Sequence, residues 1–264
     1  MNPTAIEKRE PQVRRAARVN PFNSRSAVAN SSYDAFADGK LVRPFGGVVT
    51  AVEEFVHDSF RSLVLNPKFA CVAAKSAIRS GNYRFANYPE LGAGEVVEGV
   101  ARDLFAFVQE QGLFEGFSSF VATFQNPATM SEEEFEARLW QTLQALHDLD
   151  SSHSEWDSSV SSDPADPAFS FSFAGRAFFI VGLHPGSSRL TRRFAFPTLV
   201  FNAHDQFEAL RSEGKFDRVK EVIRARDMIL QGSLNANLSD FGERSDATQY
   251  SGRPVEPGWR CPFH

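Results

Sequence analysis

The chain of 264 residues carries only two cysteines, Cys71 and Cys261, with three methionines, three tryptophans and four tyrosines. Two cysteines cannot make a disulfide framework, so stability must come from a packed core. No apolar run approaches the length of a membrane span, and no signal-like apolar region follows the N-terminus. The expectation is therefore a cytoplasmic protein with no membrane partner. No G-x-G-x-x-G follows a strand-like run and no Walker motif is present, which disfavours dinucleotide and P-loop readings. Basic residues are not interleaved along one face, so no nucleic-acid partner is expected.

What the chain has in excess is phenylalanine, 26 residues, which supplies apolar area without a polar atom to satisfy. Such a composition suits a dry pocket for a flat cofactor; a Phe-rich core without any ligand is the plainer reading. The net charge of −5 is uneven, with ten acidic residues against one basic between Ser131 and Pro167.

Residues 1–40 are polar and aperiodic and read as a tail or an arm, leaving 41–264 as one domain. Apolar residues at 48, 52, 55, 56, 60 and 63 predict a helix, with His57 off its stripe and solvated. A second helix uses Val97, Val100, Leu104, Phe107 and Val108 and stops near Gly112. A third starts at Ser131 with Glu134 as a capping box and buries Phe135, Leu139, Leu143 and Leu146. Phe169, Phe171 and Phe173 alternate with serines, and Ala174-Gly175 turns the chain into an apolar strand ending at Leu183. A further strand, 198–202, precedes a helical stretch over 204–230, broken at Gly214, with Phe216, Val219, Val222 and Ile223 facing inward. Helices on either side of these strands predict an α+β fold, a mixed or antiparallel central sheet surrounded by helices.

The loop after that hairpin gathers His184, Ser187, Ser188, Arg189, Arg192 and Arg193, with His204 shortly beyond. A histidine at the mouth of a buried sheet beside three arginines suits an anionic cofactor that takes a nitrogen ligand. A structural histidine and a solvated basic turn are the bland alternatives.

Several segments resemble the YqcI/YcgG family: FACVAAKSAIRSGNYRFANY (69–88), FSFSFAGRAFFIVGLHPGSSRLTRRF (169–194), LVFNAHDQFEALR (199–211), IRARDMILQGSLNANLSDFGERSDATQYSGR (223–253) and WRCPF (259–263). Ala70 and Ala203 stand where that family commonly has proline. The family includes haem-dependent N-hydroxylases. The resemblance implies haem b, molecular oxygen, an electron-donating reductase and hydroxylation of a guanidine or amine nitrogen on an arginine-like or lysine-like substrate. It implies His184 as the iron ligand, with Cys261 the rival and Cys71 a third choice. Ser187, Ser188, Arg189, Arg192, Arg193 and His204 are the further cofactor-binding candidates. A cationic substrate needs a carboxylate, for which Asp205, Glu208, Asp227 and Asp240 are open. A non-enzymatic haem sensor or carrier is the alternative function, and a metal-free site for an anionic metabolite is a third.

Overall fold

The computed structural model describes residues 18–233 and 245–264. In chain order the elements are α1 (Arg25–Ala29), β1 (Asp34–Ala37), β2 (Lys40–Val42), α2 (Ala51–Leu65), α3 (Val72–Ser80), β3 (Tyr83–Glu90) and α4 (Gly94–Glu110). They continue with β4 (Ser119–Asn126), α5 (Glu132–Asp150), β5 (Phe171–Phe173), β6 (Arg176–Leu183), β7 (Thr198–Ala203), α6 (Asp205–Ser212) and α7 (Phe216–Gln231). One mixed sheet runs β2-β1-β3-β4-β7-β6-β5. Among the described strands β3 and β4 alone pair in parallel, and α4 is the crossover that a parallel pair requires. The fold is α+β with a central sheet, as the sequence predicts.

The predicted hairpin is present, with Ala174 at φ 55° and Gly175 at φ 74° closing a two-residue turn. The Ser131–Glu134 capping box forms, and Phe135, Leu139, Leu143 and Leu146 are all buried. Strands β3 and β4 carry no sequence prediction. Both are covered on both faces, so their hydrophobicity does not alternate and period-2 patterning is lost.

One face of the sheet packs Phe120, Phe124, Phe171, Phe178, Ile180 and Phe201 against α4 and α5. This layer absorbs much of the phenylalanine excess. On the other face Tyr83, Phe85 and Val121 meet Val56, Phe60 and Val64 of α2.

Two expectations are corrected here. Residues 25–40, read as part of a tail or an arm, form α1, β1 and the start of β2 at the edge of the sheet. Backbone contact drives this docking: a Cβ added at Gly99 of α4 would come within 2.3 Å of the Asn30 carbonyl oxygen. Fully buried Asp103 also ties the segment down, accepting from Ser31 Oγ at 2.5 Å, Ser32 N at 2.8 Å and Tyr88 Oη at 2.8 Å.

The second correction concerns α2, whose buried stripe is Glu53, Val56, His57, Phe60 and Val64, while Val52 and Phe55 are exposed. Polar partners rotate the helix. Glu53 accepts from Arg43 and Ser32, and His57 Nε2 lies 2.7 Å from the Tyr83 hydroxyl. His57 is therefore a core residue rather than a solvated one.

These two buried groups make opposite contributions to stability over the same pH range. Burial raises the Asp103 carboxyl to about 6, so its contribution is full below the unfolded carboxyl value and is lost as pH rises through 6. Burial lowers His57 to about 4, so its contribution is full above the unfolded imidazole value and is lost as pH falls through 4. Between pH 4 and pH 6, wild type should lose on the order of 2–3 kcal/mol relative to Asp103→Asn, and should gain a similar amount relative to His57→Gln. Urea denaturation across that range measures both differences; parallel profiles for wild type and variants would refute the assignment.

Candidate functional site

The α2-side face of the sheet is only partly covered. Beyond α2, helices α3, α6 and α7 stand off β4, β6 and β7 and enclose a cavity of about 330 Å³. Strand alternation decides what enters it: Val121, Phe179, Val181, Leu183 and Val200 form its apolar floor. Small residues of α3 (Ala70, Ala73, Ala74 and Ala77 with the preceding loop) let that helix lie close, and Phe60, Phe69, Phe117, Phe207 and Phe216 line the sides.

The charged groups of the cavity come from the β6–β7 loop, from α6 and α7, and from the segment after residue 244. Arg189 pairs with Asp227, and both are buried. Arg192 donates to the carbonyls of Gly182 at 3.1 Å, Gln249 at 3.2 Å and Tyr250 at 3.4 Å, and burial lowers its pKa to about 10. It thus anchors the C-terminal segment to β6. Arg211, Lys220 and Arg224 complete the cationic side. Asp246 faces the same space; burial raises its carboxyl to about 6, partly offset by the nearby Arg211.

His204 lines the cavity and is buried. Burial lowers its pKa and keeps the imidazole neutral at pH 7, while Glu208, one turn along α6, lies 3.9 Å from Nδ1. Cys71, the N-cap of α3, accepts the Ala74 amide at 3.4 Å and also lines the cavity. Burial raises its thiol pKa, which favours the protonated form.

Of the seven predicted cofactor residues, Arg189, Arg192 and His204 come together here. His184, Ser187, Ser188 and Arg193 do not. The reason for His184 is geometric: residues 179, 181 and 183 of β6 face the cavity, so 178, 180, 182 and 184 face the opposite layer. The His184 ring stacks on Phe135 of α5 with centroids 4.4 Å apart, fully buried. Neither ring nitrogen has a hydrogen-bond partner among the described residues, and burial lowers its pKa.

Ser187 bonds within its own turn, to the backbone of Arg189. Ser188 donates to Glu132, and Arg193 donates to the Ser187 carbonyl at 2.9 Å. Cys261 packs against the α4–α5 layer, where burial pushes its thiol up to about 12.

Among the predicted carboxylates, only Asp227 lines the cavity, and Arg189 holds it. Asp205 pairs with Arg176 at 2.8 Å in the open, and Glu208 pairs with Arg211. Asp240 lies outside the described residues. Asn202, near the end of β7, accepts from Ser119 Oγ and donates to the Phe179 carbonyl.

Sequence reasoning placed Phe216, Val219 and Ile223 inward and kept Asp227 as a candidate, but missed Asp246 and the α7 cations Lys220 and Arg224. The signal for α7 was present: Phe216, Val219, Lys220, Ile223, Arg224 and Asp227 share one helix face. Charges on an apolar stripe mark a helix that faces a cavity rather than a packed core. Val222, expected inside, is exposed for the same reason.

Among the described residues no group of three His, Cys, Asp or Glu side chains converges as a metal site, and no helix is long and apolar enough to cross a membrane. No curated protein and no solved structure matches the chain. The model of the YqcI/YcgG family matches residues 60–264, which include every element that encloses the cavity from Phe60 onward. On that match, covering well over half of the sequence, the chain belongs to the YqcI/YcgG family.

Proposed function

We propose that this protein is a haem-dependent monooxygenase that N-hydroxylates a small guanidino or amino compound, arginine-like or lysine-like. The observation that carries the reading is the cavity itself: aromatic and aliphatic walls, a cationic side and one neutral imidazole in a single space. A flat apolar macrocycle needs such walls, its propionates need cations, and its iron needs an unprotonated nitrogen or a thiolate. The residues present fit that group. His204 would ligate the iron, with the Cys71 thiol the rival; Arg211, Lys220 and Arg224 would face the propionates.

When bound, haem supplies the activation of O2. The overall balance converts an N–H bond, O2, two electrons and two protons into N–OH and water, with the electrons delivered by a reductase. The chain's own residues bind and orient. Asp246 makes no side-chain hydrogen bond or ion pair among the described residues, and it is ionised at pH 7 in a largely apolar space. A guanidinium or ammonium group would compensate that charge, so Asp246 is the substrate anchor in this reading.

Absorption spectra of protein expressed with ample haem, taken oxidised, reduced and carbon-monoxide-bound, test the cofactor. Reductant-dependent oxygen consumption with arginine and lysine, coupled to detection of the hydroxylated product, tests the reaction. Asp246→Asn is expected to raise KM about tenfold or more while leaving the Soret band unchanged. Absence of a Soret band defeats the proposal, and a Soret band without turnover leaves a sensor or carrier.

A further inference from the structure

On the outer side of α3, away from the cavity, a groove of about 520 Å³ runs between α3 and α7. Its lining is Leu65, Pro67, Val72, Lys75, Ser76, Arg79, Ser80 and Arg226, three cations and two hydroxyls without one carboxylate. Helical spacing stacks Lys75 over Arg79 and Ser76 over Ser80, one turn apart on α3. Arg226 reaches in from α7.

Among the described residues no carboxylate pairs with these charges. Neither Arg79 nor Arg226 makes an ion pair or a side-chain hydrogen bond among the described residues. Lys75 is buried, 6 % exposed, and its ammonium donates to the Pro67 carbonyl at 3.0 Å, which uses one of three donors. Burial lowers its pKa, and the fields of Arg226 and Arg79 lower it further. Holding an ammonium beside two like charges costs stability unless an anion completes the cluster.

We propose that this groove binds a soluble phosphate ester or diphosphate, distinct from whatever fills the cavity. Two guanidinium forks, an ammonium and two hydroxyls match the charge and the acceptor-rich oxygens of a phosphoryl group. The site also spans two walls of the cavity. Arg226 precedes Asp227, which faces the cavity and pairs with Arg189. An anion held between α3 and α7 therefore pins α7 in place.

Titration of the full-length protein with inorganic pyrophosphate, at constant ionic strength set with potassium chloride, is the test. A saturable isotherm and a rise in Tm with pyrophosphate are expected. Arg79→Gln and Arg226→Gln should each weaken binding about tenfold with unchanged circular dichroism, because neither side chain holds the fold. A second arm with adenosine diphosphate and a third with anionic phospholipid vesicles separate soluble from membrane phosphate. Heats of dilution alone, equal affinity in both variants, or binding confined to vesicles would overturn the proposal. None of these readouts depends on haem, so this site and the cavity stand or fall separately.

Discussion

His204→Ala is expected to abolish haem retention and turnover, whereas His184→Ala keeps the Soret band. The contrast follows from which face of the sheet each ring occupies. His204 lines the cavity; His184 follows the β6 residues that face α5 and stacks on Phe135. Under the proposed function a ligand for the iron would have to reach the cavity, and β6 cannot turn residue 184 into it without reversing its alternation. The His204 imidazole has the chemistry required. Burial lowers its pKa and favours the neutral ring, the form that can ligate a metal.

The measurement is haem content by pyridine haemochrome with the carbon-monoxide difference spectrum for both variants and for Cys71→Ser. Haem lost from His204→Ala and retained in the other two supports the assignment. Loss in Cys71→Ser with a thiolate-type band in wild type would move the ligand to α3. Loss only in His184→Ala would move the cofactor to the α5 face and refute the cavity as its site.

Asp227→Ala should cost about 3–5 kcal/mol in urea unfolding, the largest effect expected of a single change outside the hydrophobic core. Asp227 is the only buried side chain of α7, and its partner Arg189 is itself 7 % exposed. Among the described residues, truncation leaves the buried guanidinium with the Ser233 carbonyl at 3.1 Å in place of its carboxylate partner. The pair also carries much of the attachment of α7, because the rest of its inner face borders a cavity instead of packed side chains.

A double variant, Asp227→Leu with Arg189→Met, separates charge from packing. Since the ion pair must itself be desolvated, the double variant should recover most of the loss. A cost below about 1 kcal/mol for Asp227→Ala would mean that the pair is solvated and α7 is held by other contacts.

The readable parts of the fold have a simple origin. Helix α5 buries one stripe against a continuous layer, so the Phe135–Leu146 series obeys helical periodicity; α4 buries that same spacing at Val97, Val100 and Leu104 within a helix covered on nearly every side. The β5–β6 hairpin carries its own turn chemistry in Ala174-Gly175. Strands β3 and β4 were illegible because helices cover both their faces, and α2 was misjudged by about one residue of rotation because Glu53 and His57 find buried polar partners. Those partners, Arg43, Ser32 and Tyr83, come from other elements, and no local pattern announces them.

The candidate site divides in the same way. Sequence alone marked the loop from His184 to Arg193 and the start of α6 as the chemically dense region, and Arg189, Arg192 and His204 do converge. Proximity along the chain, however, says nothing about sides of a sheet. Neighbours in one loop are split between the cavity and the α5 layer by the two-residue period of β6. Cys71 reaches the cavity from more than 100 residues before that loop, and the α7 cations and Asp246 from about 27 to 53 residues after it.

By itself the sequence determined the α+β class, the hairpin, the amphipathic helices and a family resemblance that the family match over residues 60–264 bears out. Only the tertiary structure decided which imidazole faces a cavity, which arginines are occupied by carboxylate or carbonyl partners, and that Lys75, Arg79 and Arg226 line one groove. The physical reason is that periodicity and capping are properties of neighbouring residues. Burial, desolvation and charge compensation are properties of whatever the fold brings alongside.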